Sequence, residues 1–166
     1  MSKNEGGFTS PSKGNLTISE VVNEIGNFID EEPTKFYRIV IGSDSQARMV
    51  NSHSEIDFVT AIVIHRTGAG ARYFFKKEKV LKKPILRDKI YTETSMSLAT
   101  AQEFVPLLRE KISPSTYDFE IHIDVGPLGP TRDMIKEVVG MVQGSGFKAK
   151  TKPDSWGASS VADKHT

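Results

Sequence analysis

The sequence predicts an α/β fold, because apolar runs of β-strand length are interspersed with segments whose apolar residues recur at helical spacing. After a first helix, three strand-like runs follow one another, and helices and strands then alternate to the end of the chain. The 166 residues suffice for one domain with a substantial core. We expect residues 16–166 to form this domain. Residues 1–15 are rich in Gly, Pro and Ser with few apolar side chains, which predicts a flexible N-terminal tail.

The first half of the chain is predicted to contain one helix and a three-stranded meander. The helix shows apolar spacing after a Thr or Ser cap, the strands are rich in β-branched and aromatic residues, and Gly68-Ala69-Gly70 supplies a tight turn. The predicted elements are a helix from Thr17 or Ser19 to Ile29, strands Phe36 to Gly42, Phe58 to His65 and Ala71 to Lys76, and a polar connecting loop over residues 46–57.

The second half alternates helix and strand. Pro84 suits the start of a long helix, and a Gly-Pro-rich loop from Gly126 to Pro130 ends the strand that follows it. The predicted elements are a helix from Pro84 to Lys111, a strand from Tyr117 to Val125, a helix capped by Thr131, an edge strand from Phe147 to Lys152, and a final short helix capped by Asp154 or Ser155.

Charge and cysteine content narrow the classes of function. The net charge of +1 gives no general attraction for nucleic acid, but residues 76–89 hold seven Lys or Arg against two acidic residues. The chain has no cysteine, so any metal must be bound by oxygen or imidazole, and a cytoplasmic location is expected. No apolar stretch reaches membrane length, so we expect no membrane partner.

Four carboxylates are predicted to converge at one edge of the sheet. Asp44 and Asp124 each follow a buried strand, and the long helix gives the crossover that makes these strands parallel neighbours. Glu93 lies on the apolar stripe of that helix, where an ionised side chain is costly without a compensating cation. Asp163 belongs to the final helix, beside small residues that allow a close approach to the sheet.

Such a cluster indicates a metal site. Four carboxylates repel one another unless a divalent cation joins them, and Mg²⁺ or Mn²⁺ prefers oxygen ligands. The chemistry implied is hydrolysis of a phosphodiester bond with water as the nucleophile. Each carboxylate taken alone is equally explained as a cap, a turn residue or a surface charge.

Three segments carry a resemblance to a known family: Ile41 to Gln46, Ile121 to Pro127 and Pro153 to Thr166. They resemble the bacterial YkuK-type family of the ribonuclease H-like superfamily, and the resemblance extends over residues 16–166. It implies a three-layer fold with a five-stranded mixed sheet in the order 3-2-1-4-5, strand 2 antiparallel, flanked by helices. It also implies that the metal ligands and catalytic residues are Asp44, Glu93, Asp124 and Asp163.

Further residues are candidates for supporting roles. Ser43 and Ser45 flank Asp44 and, with Lys76 and Lys77 of the basic stretch, are predicted to contact a phosphate or the nucleic-acid backbone. Three others near the predicted site are His122, which could orient a carboxylate, Asp154, a reserve ligand, and His165, a ligand or proton shuttle. For each of these an ordinary turn, surface or buried structural role is the alternative.

The sequence therefore predicts a metal-dependent nuclease that hydrolyses RNA or DNA. The main alternative is a non-catalytic module that binds nucleic acid or a protein on the same fold. Nucleotide binding of the actin-like ATPase type is a third reading, which the absence of a second such domain in 166 residues disfavours.

Overall fold

A computed structural model describes residues 7–155, 161, 164 and 165. Within them the chain forms a mixed sheet and three α-helices. In chain order the elements are β1 (Phe8–Ser10), β2 (Gly14–Leu16), α1 (Ile18–Glu31), β3 (Tyr37–Val50), β4 (His53–Arg66), β5 (Ala71–Leu81), α2 (Leu86–Lys111), β6 (Tyr117–His122), α3 (Ile135–Gly144) and β7 (Ala149–Lys150). Short 3₁₀ turns at Pro114–Thr116 and Arg132–Met134 precede β6 and α3. No helix in the described part of the chain is long and apolar enough to cross a membrane.

The strands lie in the order β2-β1-β5-β4-β3-β6-β7. The five strands predicted from the sequence are β3 to β7, and they occupy the sheet in the order 3-2-1-4-5. Strand β4 runs antiparallel to β3 and β5, whereas β3, β6 and β7 are parallel. The prediction of five strands is wrong, because the described sheet has seven.

The two additional strands are a hairpin in the segment expected to be a flexible tail. Phe8 is 1% exposed, and Thr9 pairs with Phe75 of β5, so the hairpin extends the sheet beyond β5. Gly14 begins β2 with a φ of 73°, a conformation that glycine adopts without strain. Two apolar anchors, Phe8 and Leu16, thus order a segment that is polar between them.

The polar loop expected over residues 46–57 is also replaced by strand. β3 and β4 are each 14 residues long and pair without interruption from Tyr37 with Arg66 to Val50 with His53. Asn51 and Ser52 make the turn with φ values of 50° and 68°, as a two-residue hairpin turn requires. Several side chains at the end of β3 are exposed, which explains why hydrophobic patterning alone indicated a loop.

All three helices pack on one face of the sheet, termed here the helix face. Its core joins α1, α2 and α3 to alternate residues of β3, β4 and β6, including Ile39, Ile62 and Ile121. The opposite, second face carries a small apolar cluster of Val40, Val59, Ala61 and Val63, against which Val161 packs. The described part of the C-terminal segment therefore lies on the second face.

Candidate functional site

The parallel strands β3 and β6 carry two of the predicted ligands: Asp44 lies within β3, which continues to Val50, and Asp124 lies two residues beyond the end of β6. Their register pairs Gly42 with His122, and Asp44 and Asp124 each follow two residues later. Because side chains alternate along a strand, both aspartates share the parity of Val40 and of the second face. The register sets Asp44 level with Asp124, but Asp44 lies inside β3 and not after its end, as the sequence had indicated, because the polar residues that follow it continue the strand.

Glu93 approaches the two aspartates from helix α2. The residue is 7% exposed, and the Ser45 hydroxyl donates a hydrogen bond of 3.2 Å to Glu93 Oε1. Burial, followed by the charge of Asp44, raises the Glu93 pKa to about 8, and Asp124 adds a smaller contribution in the same direction. The three carboxylates are therefore electrostatic neighbours, although α2 and the two aspartates belong to different layers.

Lys152 is a site residue that sequence reasoning missed. Its Nζ lies 2.8 Å from Asp124 Oδ1. This contact raises the Lys152 pKa, with further contributions from Asp44 and Glu93. The sequence alone carries no signal for this contact, which follows from the strand register: Lys150 pairs with His122, so the second residue after each is expected to lie side by side.

The structure assembles the predicted ligand set only in part. Among residues 7–155, 161, 164 and 165, no group of three or more His, Cys, Asp or Glu side chains is placed to hold a metal ion. Asp163, the fourth predicted ligand, lies outside the described residues. The donor chemistry still suits Mg²⁺ or Mn²⁺, since the neighbouring groups are carboxylates. One of them, Glu93, is buried where its ionised form is disfavoured in the absence of a cation.

The hydroxyls of Ser43 and Ser45 have partners inside the protein. Ser43 Oγ lies 2.9 Å from Thr60 Oγ1 and 2.8 Å from Ser97 Oγ, while Ser45 bonds to Glu93. Both serines are buried. Their observed contacts join the sheet to α2, and their predicted contact with substrate stays a prediction.

The two predicted substrate lysines lie on opposite faces of β5. Lys76 Nζ is 5.5 Å from the Phe8 ring centroid, whereas Lys77 Nζ is 3.6 Å from Asp57 Oδ2. Asp57 is fully buried and also forms an ion pair with Arg48. Only Lys77 therefore shares the face of Asp44, and the buried carboxylate beside it was not singled out from the sequence.

Of the remaining candidates, His122 lines one small cavity together with Glu93 and Asp124. His122 Nε2 is 2.8 Å from Glu120 Oε1, and burial lowers the His122 pKa. His165 stacks on Phe75 with ring centroids 3.8 Å apart. Asp154 is exposed, and its backbone N–H donates to the Thr151 carbonyl in a turn. The predicted supporting roles of these three residues stay predictions.

Comparison with known proteins relates the chain to a family and to one curated relative. The family model described as "Ribonuclease H-like" matches residues 20–166. The "Uncharacterized protein YkuK" of Bacillus subtilis (strain 168) is 34% identical over 170 aligned residues, which cover 96% of this chain and 96% of that protein. No solved structure matches the chain significantly.

Proposed function

This chain belongs to the ribonuclease H-like family, and from that premise we propose that it is a divalent-metal-dependent nuclease that hydrolyses phosphodiester bonds of RNA or DNA. The observation that carries the proposal is the environment of Glu93. A carboxyl group that is buried beside two aspartates, with a pKa raised to about 8, is held where its ionised form is disfavoured.

A cation bound at this site would change which form of Glu93 is favoured. A divalent ion reverses the repulsion among the carboxylates and favours the ionised form of Glu93. Perturbed carboxylates in such surroundings are typical of functional sites, because structural carboxylates are normally exposed or paired.

The metal ligands in this proposal are Asp44, Glu93, Asp124 and Asp163, with Mg²⁺ or Mn²⁺ as the cofactor. When bound, the metal supplies a more acidic water and offsets charge on the departing oxygen. Ser45 orients Glu93 through its 3.2 Å hydrogen bond, and Lys152 holds Asp124. Lys77, on the face of Asp44, is the better placed of the two predicted lysines for a phosphate contact.

The alternative, a binding module without catalytic activity, is favoured by the ion pair of Asp124. Asp124 already has a protein cation as its partner, at 2.8 Å. This pairing favours the alternative of a module that binds nucleic acid or protein without turnover. Binding that weakens steeply with salt, without metal-dependent cleavage, would select that alternative.

The test is a nuclease assay on purified protein with single-stranded RNA, DNA and RNA–DNA hybrid, each with Mg²⁺, Mn²⁺ or EDTA. We expect cleavage with metal and a loss of roughly 100-fold or more in Asp44→Asn, because a charge-stabilising ligand is removed. Asp118→Asn is the matched control, since Asp118 is an exposed aspartate at the other end of β6. The proposal fails if no substrate is cleaved or if Asp44→Asn retains full activity.

A further inference from the structure

Asp57 is a buried carboxylate on the second face that the proposed mechanism does not use. It is 0% exposed and shares its side of β4 with the apolar residues Val59 and Ala61. A buried carboxylate is costly unless cations compensate it, and Asp57 has two such partners. It forms an ion pair with Arg48 of β3, and Lys77 Nζ of β5 lies 3.6 Å from Asp57 Oδ2.

The side chains of Arg48 and Lys77, termed here the cation pair, remain open to solvent. They are 45% and 43% exposed, although the carboxylate between them is enclosed. Two cations against one carboxylate leave one positive charge at the surface. The neighbouring Lys79 does not change this balance, because Glu55 offsets it at 3.8 Å. Arg48 contacts Asp57 through Nη2, which leaves other guanidinium N–H groups for a second anion.

Folding stability does not require a carboxylate at position 57. An apolar residue there would continue the surface of Val59, Ala61 and Val63, and replacing a buried ion pair by apolar residues is often neutral or stabilising. Asp57 does hold two long, flexible side chains in place. Cations that are already ordered bind an anion at a lower entropic cost.

Strand register places the cation pair near Asp44 on the same face. Lys77 pairs with Val59, which pairs with Asp44, so Lys77 is two strands away, about 10 Å at the usual strand spacing. Arg48 lies further along β3 than Asp44, at about 13 Å for the usual rise per residue. Because both cations contact the same carboxylate, one phosphate group can reach both of them.

We propose that Arg48 and Lys77, held by Asp57, bind a backbone phosphate of the nucleic acid about three to four nucleotides from the bond cleaved at Asp44, since each nucleotide of a duplex strand rises by about 3.4 Å. The inference rests on the proposed function in taking nucleic acid as the substrate, and it deepens that proposal by stating where the backbone is held. Contacts to phosphate carry no sequence information, so the site serves RNA and DNA alike.

The test is binding of a fluorescently labelled single-stranded oligonucleotide, RNA or DNA, measured by anisotropy in EDTA over a range of salt concentrations. Arg48→Gln and Lys77→Gln should each weaken binding several-fold and reduce the slope of log affinity against log salt by about 0.7. Lys77→Arg should keep both the affinity and the slope. Arg109→Gln and Lys136→Gln are the controls, since both residues are exposed on helices of the helix face, and they should bind as the unmodified protein does.

Acetylation of lysines in the unmodified full chain, followed by mass spectrometry, is a second measurement that needs no variant. A saturating oligonucleotide should protect Lys77 and leave Lys136 reactive. Equal protection of the two lysines, or an unchanged salt slope in both Gln variants of the cation pair, overturns the phosphate site. The acetylation result decides the question if those variants fail to fold.

The outcomes also separate this inference from the proposed function. Metal-dependent cleavage together with unaltered binding by Arg48→Gln and Lys77→Gln overturns the phosphate site alone. The expected loss of binding without cleavage under any metal overturns the nuclease proposal and supports the phosphate site. If the unmodified protein binds no oligonucleotide at low salt, the phosphate site is overturned.

Discussion

Replacing Glu93 by Gln should stabilise the metal-free protein at high pH. In the folded protein the Glu93 pKa is about 8, against 4.5 for the ordinary group. Below about pH 4.5 the carboxyl is protonated in both folded and unfolded chains, so it imposes no penalty. Above about pH 8 it is ionised in both, and the folded protein bears the full cost of the buried charge.

The size of the effect follows from the two pKa values. At about 1.4 kcal/mol per pKa unit, the rise from 4.5 to about 8 corresponds to about 5 kcal/mol. This figure is an upper limit, because a shift of α2 that admits water would reduce the cost. For a chain of this size, each kcal/mol moves the melting temperature by about 2–4 °C, so a gain of roughly 10 °C is expected at pH 9.

The assay is urea unfolding followed by circular dichroism, in EDTA, at pH 5 and pH 9. At pH 5 the two proteins should differ by about 1 kcal/mol or less, and at pH 9 Glu93→Gln should be the more stable by several kcal/mol. Glu103→Gln, an exposed glutamate on the same helix, should change little at either pH. If Glu93→Gln is equal or less stable at pH 9, the ionised carboxylate has a favourable partner and the reasoning is refuted.

Two further predictions concern packing. Gly126→Ala should lower the free energy of unfolding by about 1–3 kcal/mol, because the added Cβ would lie 2.9 Å from Lys152 Cβ. Gly140→Ala is the control, since Gly140 has open space around it, and it should be neutral or stabilising in the same urea assay. Equal behaviour of the two variants would contradict the observed close approach. Phe8→Ala should cost about 3 kcal/mol or more, because Phe8 is 1% exposed; a loss near zero in urea unfolding would mean that the hairpin contributes nothing to the fold.

Much of the fold could be predicted because its signals are local. The stripe of α1 is buried as expected, and Thr17 caps it with a reciprocal hydrogen bond to Glu20. The β-branched run at Ile39 to Ile41 is the buried centre of β3. The β1–β2 hairpin could not be predicted in this way, because its order depends on pairing with β5, which is distant in sequence.

The candidate site residues were likewise predicted where their signals are local and missed where they are not. Predicted strand ends and helical spacing indicated Asp44, Glu93 and Asp124, and in the structure the charges of both aspartates raise the Glu93 pKa. Lys152 and Asp57 were missed because their importance depends on cross-strand register and on burial, which single-sequence patterns do not give. Lys76 and Lys77 were treated as a pair, although strand alternation sends them to opposite faces.

The hairpin at the start of the described chain also bears on aggregation. Without it, the 11-residue strand β5 would present a long row of unpaired backbone groups, a template onto which another chain could add. As folded, the described sheet ends in the three-residue β2 on one side and the two-residue β7 on the other. The hairpin covers β5 only around Phe75, so residues 8–16 shorten the run of unpaired β5 backbone groups that another copy of the protein could join, without removing it.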